Sequence, residues 1–275
     1  MSFLQNIKYE LQKRNMLTII LIVNLAMFLV INISLHILKL NLVDVLALPL
    51  NLHEFAFKFW TIITYMFSHE SFGHVFYNML LFYFSAQTFT NFLSEKKLLY
   101  VYVMSGIFGG LILLILSAIS PSLYAGSYLY GASAAVIGIV TALAMYIPNL
   151  PVSLFGVIEM KYKYYALLVF VLFSIVDFTI NTGGKISHFG GAFFGILYGY
   201  MLKNGTDLSQ LTFFKSQTKK TSNLKVVHAN PNATNISDTE NQQIIDNLLD
   251  KISKSGYDSL SKTEKELLFK LSQKK

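Results

Sequence analysis

Residues 186–200 read ISHFGGAFFGILYGY, with glycine at 191, 195 and 199 and a histidine, His188, less than one turn ahead of the first of them. At about 100° per residue, all three glycines fall within about 60° of His188 on a helix surface. Small residues every fourth position let helices approach closely in lipid, where chain packing rather than exclusion of water drives association. The stretch therefore reads as a membrane helix with its tightest packing seam on one face and an imidazole at the head of that seam. Packing accounts for the glycines and leaves the histidine without an explanation.

The whole chain supports the membrane reading. It has 275 residues, 53% hydrophobic and 13% charged, with mean hydropathy +0.50, whereas soluble domains carry about a quarter charged residues. Six stretches are apolar enough to cross a bilayer, near 17–38, 74–93, 98–118, 132–147, 164–180 and 186–202. The first follows Lys8, Lys13 and Arg14 but is too long for a typical signal-peptide core and lacks a small-residue cleavage site, so it reads as a span. Lys8, Lys13, Arg14, Lys96, Lys97, Lys161, Lys163 and the lysine-rich tail fall on one side, against Lys39, Lys58 and Lys185 on the other. The positive-inside bias makes the first side, with both termini, cytoplasmic. The loop 39–73, rich in Leu and Phe and holding Trp60, is expected in the outer interface.

Four segments follow: a cytoplasmic N-terminal segment 1–16, a membrane domain 17–202, a flexible linker 203–236 rich in Asn, Thr, Ser and Lys, and a helical hairpin 237–275. In the last, Ser237 with Glu240 and Ser261 with Glu264 form capping boxes ahead of Ile244, Ile245, Leu248, Leu249 and Ile252, and of Leu267, Leu268 and Leu271. Helices this short do not fold alone, so the hairpin is expected to pair with itself and dock on a protein or the membrane. Residues 203–275 hold 12 of the 22 Lys and Arg and eight of the 15 acids, and this basic flank beside the spans marks a cytoplasmic face rather than a nucleic-acid surface.

Ionisable groups near spans are few and usually functional. Toward the outer ends stand His69, Glu70, His74, Asp177 and His188, with the neutral Asn78 and Ser133. His74 and Asn78 are four apart, about 40° around a helix, and share a face. Ser133 opens the short fourth stretch behind Gly131 and Ala132, so it sits at a helix N-terminus below the outer surface, in a recess where free backbone N–H groups meet water. A serine hydroxyl becomes nucleophilic when a base takes its proton, and neutral imidazole suits that task near pH 7. His188 is the candidate base. The Ser133 amide, His74 and Asn78 are the candidate donors for the oxyanion of acyl transfer.

Other chemistries fit worse. The chain has no cysteine, which excludes thiol nucleophiles, disulfides and cysteine-held metals. The HESFGH run sets His69 and His74 five apart, about 140° around a helix, so it lacks the one-face ligand pair of a zinc protease, and no metal or other cofactor is expected. A small transporter would also place polar groups in spans, but no inverted repeat is evident.

The pattern resembles the rhomboid family of intramembrane serine proteases over residues 17–202. The resemblance rests on H-x4-H-x3-N (His69, His74, Asn78) entering the second span and G-x-S (Gly131, Ala132, Ser133) entering the fourth. It is completed by H-x-G-G-x3-G-x3-G (His188, Gly190, Gly191, Gly195, Gly199) on the sixth. It implies an all-α six-helix membrane bundle with a cytoplasmic tail of two amphipathic helices, seated in a bacterial plasma membrane. Ser133 would be nucleophile and His188 base, with Asn78, His74 and the Ser133 amide as the oxyanion hole. His69, Gly131, Gly191, Gly195 and Gly199 would support them. Substrates would be single-pass membrane proteins, cut near the outer end of a span; the alternative is a silent relative that binds client helices. Three positions depart from the pattern: Ala134 replaces a glycine, Thr61 stands where an arginine commonly follows Trp60, and Ile137 occupies a site that is aromatic in some members.

Overall fold

The computed structural model describes residues 15–154, 156–174, 182–210, 244–252 and 260–272. Its contacts divide the chain into two units, Met1–Lys215 and Ser216–Lys275. Helices occupy all six apolar stretches of the first unit: α1 (Met16–Ile33, continued by a π turn to Leu38), α2 (Phe72–Phe92), α3 (Glu95–Ile119), α4 (Ser133–Tyr146), α5 (Tyr162–Ser174) and α6 (Thr182–Lys203). Asp177, with the expected end of the fifth span, lies outside the described residues, as does Ser237.

The helices in the six apolar stretches differ in length and composition. Among the described residues only Met16–Leu38 and Glu95–Ile119 are long and apolar enough to cross a membrane by that criterion. Helix α4 has 14 residues, or about 20 Å against about 30 Å of hydrocarbon, and α5 is described over 13 residues, up to Ser174. Helices α2 and α6 are long enough but are diluted by His74, Asn78, Gln87 and Asn91 in one, and by six glycines, Lys185 and His188 in the other. The mostly helical fold also carries two small antiparallel sheets that the sequence reading did not anticipate. Strand β1 (Leu48–Pro49) pairs with β2 (Tyr128–Leu129), and β3 (Pro151–Leu154) forms a hairpin with β4 (Ile158–Lys161) between α4 and α5.

Helix α4 is the hub: every residue from Ala134 to Leu143 is buried. Its most extensive partner is α6, followed by α3. The glycine seam lies between α4 and α6 as the spacing requires. A methyl on Gly191 would overlap the Ala134 carbonyl, one on Gly195 the Gly138 carbonyl, and one on Gly199 the Ala142 carbonyl. Ala134 itself is accommodated from the other side, because a Cβ on Gly109 of α3 would stand 2.7 Å from the Ala134 methyl. The alanine that replaces the family's glycine is thus matched by a glycine on the neighbouring helix.

The loop between α1 and α2 is held without the arginine. The Trp60 indole donates to the Val45 carbonyl (2.9 Å), and Lys58 bonds both Glu54 (2.8 Å) and the Asp44 carbonyl (2.7 Å). The Tyr128 hydroxyl donates to the same Glu54 carboxylate, tying this loop to the one before α4 beside the β1–β2 pair. Ion pairing with Lys58, helped by Tyr128 and opposed by partial burial, holds the Glu54 carboxyl below the usual range. Phe57 and Phe59 point outward at about two-thirds exposure, as an interfacial segment requires. On the opposite side, Asp207 accepts from Lys97, from the Ser209 amide and hydroxyl, and from Tyr198.

In the second unit, α7 (244–252) and α8 (Lys262–Ser272) are helical. The second capping box closes reciprocally: the Ser261 amide donates to Glu264 (2.7 Å), and the Glu264 amide donates to Ser261 Oγ (3.2 Å). Lys251 of α7 also donates to Glu264 (2.7 Å).

Candidate active site

The chain turns into α4 through Gly131, whose φ of +113° lies in the region that favours glycine. A side chain there would also strike the His74 ring, since its Cβ would stand 2.6 Å from the ring Cε1. The turn is pinned twice. The Gly131 amide donates to the Tyr65 carbonyl (2.9 Å), and the Ala132 amide points at His69 Nε2 (3.4 Å). Tyr65 is in turn fastened to α3 by a 2.6 Å bond from its hydroxyl to the Gly106 carbonyl. The first intrahelical bond runs from the Val136 amide to the Ala132 carbonyl, so Ser133 and the next two amides are first-turn donors without an intrahelical acceptor.

Ser133, half-buried, lies 2.6 Å through its Oγ from Nε2 of the buried His188 on α6. The other ring nitrogen, Nδ1, lies 3.4 Å from Oγ of the buried Ser174 at the end of α5. A cavity of about 620 Å³ opens over the pair, lined by His74 and Asn78 of α2, Tyr130, Leu172 and Phe173 of α5, and Gly184. Asn78 is nearly buried and donates one amide hydrogen to the His74 carbonyl (2.9 Å), leaving a second to serve another acceptor. Ser71 caps the helix that carries both, accepting from the His74 amide.

The predicted residues therefore take different positions. Ser133, His188, His74 and Asn78 converge on the cavity; Gly191, Gly195 and Gly199 sit on the seam behind it. His69 is fully buried and meets His74 edge to face, with ring centroids 5.0 Å apart. Burial, and then the neighbouring His74, depress its pKa to about 3, so it is a neutral structural imidazole. Burial and the adjacent Glu70 push the Tyr130 phenol up to about 12. Among the described residues, no group of three or more His, Asp or Glu side chains comes together as a metal site.

Sequence reasoning overlooked three contributors. Ser174 is a lone hydroxyl in the apolar run FVLFS, and the one polar signal near it in sequence is Asp177, three residues on. Tyr65 and Gly109 act through contacts 25 and more residues distant that no spacing rule encodes.

The arrangement can run acyl transfer: a hydroxyl on a base, a cavity above them, and donors lining it. A family model described as Rhomboid domain matches residues 56–205. A second, described as a family of unknown function (DUF6576), matches residues 232–274. No curated protein matches the chain.

Proposed function

The chain belongs to the rhomboid family and is an integral membrane protein, and from that premise we propose that it is an intramembrane serine endopeptidase acting on single-pass membrane proteins. The observation that carries the proposal is the 2.6 Å hydrogen bond between Ser133 and His188 beneath an open cavity. His188 Nε2 takes the hydroxyl proton as Ser133 Oγ attacks the scissile carbonyl, and returns it to the leaving amine when the tetrahedral intermediate collapses. Water then hydrolyses the acyl-enzyme by the same path. The developing oxyanion draws on the Ser133 amide at the α4 N-terminus, the second Asn78 amide hydrogen and His74.

In this reading α1 to α6 are six transmembrane passages in a bacterial plasma membrane, with both termini cytoplasmic. The short α4 begins below the outer surface, so the nucleophile sits inside the bilayer's depth and water reaches it from outside through the cavity. Segments 1–16, 17–202, 203–236 and 237–275 serve as N-terminal segment, protease domain, linker and tail hairpin. The hairpin docks on itself or on a further protein; neither nucleic acid nor a cofactor has a part.

The test is cleavage of a single-span reporter by purified protein in proteoliposomes, with fluorophosphonate labelling in parallel. Wild type is expected to cut and to label, and Ser133→Ala and His188→Ala to do neither. A wild type that does neither would instead be a silent relative binding client helices, or a transporter.

A further inference from the structure

We infer that Ser174 is the positioning residue of the Ser133–His188 pair, and this rests on the hydrolase reading above. For His188 to accept a proton at Nε2, its resting tautomer must carry hydrogen on Nδ1, and a base that becomes imidazolium needs a partner on that side. Ser174 Oγ stands on that side, 3.4 Å from Nδ1 and buried. Two contacts on opposite ring nitrogens, 2.6 Å and 3.4 Å, fix the ring's rotation, and the base role requires Ser174 to be the acceptor at Nδ1. A serine in a helix can pass its own proton to a carbonyl of the preceding turn, which leaves oxygen lone pairs for the imidazole N–H.

The Ser174 contact orients the ring from a side that the residue one turn after Ser133 does not serve. Ile137 stands one turn after Ser133, buried in α4, and offers neither a hydrogen-bond acceptor nor a π face. Control of the base is thereby moved from α4, which carries the nucleophile, to the end of α5. That helix also lines the cavity through Leu172 and Phe173, so its last turn touches the bound chain and the base together.

The full-length protein, in detergent, would be assayed with a fluorogenic single-span peptide and for its rate of fluorophosphonate labelling, comparing Ser174→Ala, Ser174→Thr and Ser174→Val. Thr and Val match in shape and differ in the acceptor oxygen. Ala and Val should lose about 3- to 15-fold in kcat and in labelling rate with KM unchanged, as loss of one neutral hydrogen bond implies. Thr should retain most of both. Equal activity in Thr and Val, a loss confined to KM, or an unaltered labelling rate in Ala would overturn the assignment while leaving the hydrolase standing. Wild type that does not label, or Ser133→Ala that labels equally, would overturn both.

Discussion

Replacing Gly191 by alanine should misalign the catalytic pair through helix packing alone. A Cβ built at Gly191 stands 2.7 Å from the Ala134 carbonyl carbon and 3.0 Å from its Cα, closer still to the carbonyl oxygen. Restoring ordinary van der Waals separation of about 3.5 Å needs a displacement of roughly 0.5–1 Å between α6 and α4. Backbone is the obstacle on the α4 side, so no side-chain rotation relieves it. His188 is three residues before Gly191, within one turn, and travels with it, while Ser133 adjoins Ala134 on the other helix. The 2.6 Å bond between them would open past 3 Å. Overpacking of this kind costs about 1–3 kcal/mol of stability, and an ångström of misplacement at reacting groups can cost about 100-fold in rate. Gly199→Ala is the matched control. Its methyl would meet the Ala142 carbonyl just as closely, but it sits eleven residues from His188, about 16 Å along the helix. Turnover of a fluorogenic single-span substrate and thermal unfolding in detergent would be measured for both. Comparable losses of Tm are expected, with kcat falling about 10- to 100-fold for Gly191→Ala and less than about 5-fold for Gly199→Ala. Native turnover in Gly191→Ala, or equal losses of kcat in the two, would refute the reasoning.

Asn78→Ala should lower kcat about 10- to 1000-fold with folding intact, as removal of one oxyanion donor does, measured by turnover beside circular dichroism. His69 should set an acid limit on stability. Its folded pKa of about 3 lies below the ordinary 6.5, so the unfolded chain binds the proton first. Its contribution is therefore complete above pH 6.5 and fades as pH falls toward 3, reaching a loss of about 1.4 kcal/mol at pH 5.5. Tm profiles of wild type and His69→Gln should differ in slope over that window, and parallel profiles would contradict the assignment. Asp207→Asn should lower Tm, since burial favours the neutral acid but Lys97 and Ser209 outweigh it and hold the carboxyl below its usual range. The loss is expected at about 1–3 kcal/mol, the cost of stranding hydrogen-bonded partners, and an unchanged Tm would remove Asp207 from the stabilising contacts.

What the sequence disclosed and what it withheld divide along physical lines. Helix positions follow from continuous apolar runs, and the α4–α6 seam follows from glycines at a fixed helical interval. The convergence of Ser133 and His188 could be anticipated because each stands at the outer end of its own helix, where chemistry needs both. The capping box at Ser261 and Glu264 is local and was readable for the same reason. Contacts between distant segments were not. Ser174 meets His188 only because α5 ends where α6 begins its buried face, and the Tyr65 bonds to Gly106 and Gly131 depend on how the first loop folds back. The β1–β2 pair is two residues long, too short for any alternation of side chains to announce it. Helix α4 is slightly shorter than the apolar run that announces it, because the chain leaves the helix after Tyr146, just ahead of Pro148.

The claim on which the rest depends is that Ser133 is a nucleophile activated by His188. Peptide mapping by mass spectrometry after exposure to a fluorophosphonate tests it at the atom concerned. A single adduct is expected on Ser133 in the wild-type protein, with none in His188→Ala. An adduct on another serine, or undiminished modification of Ser133 without His188, would contradict the account.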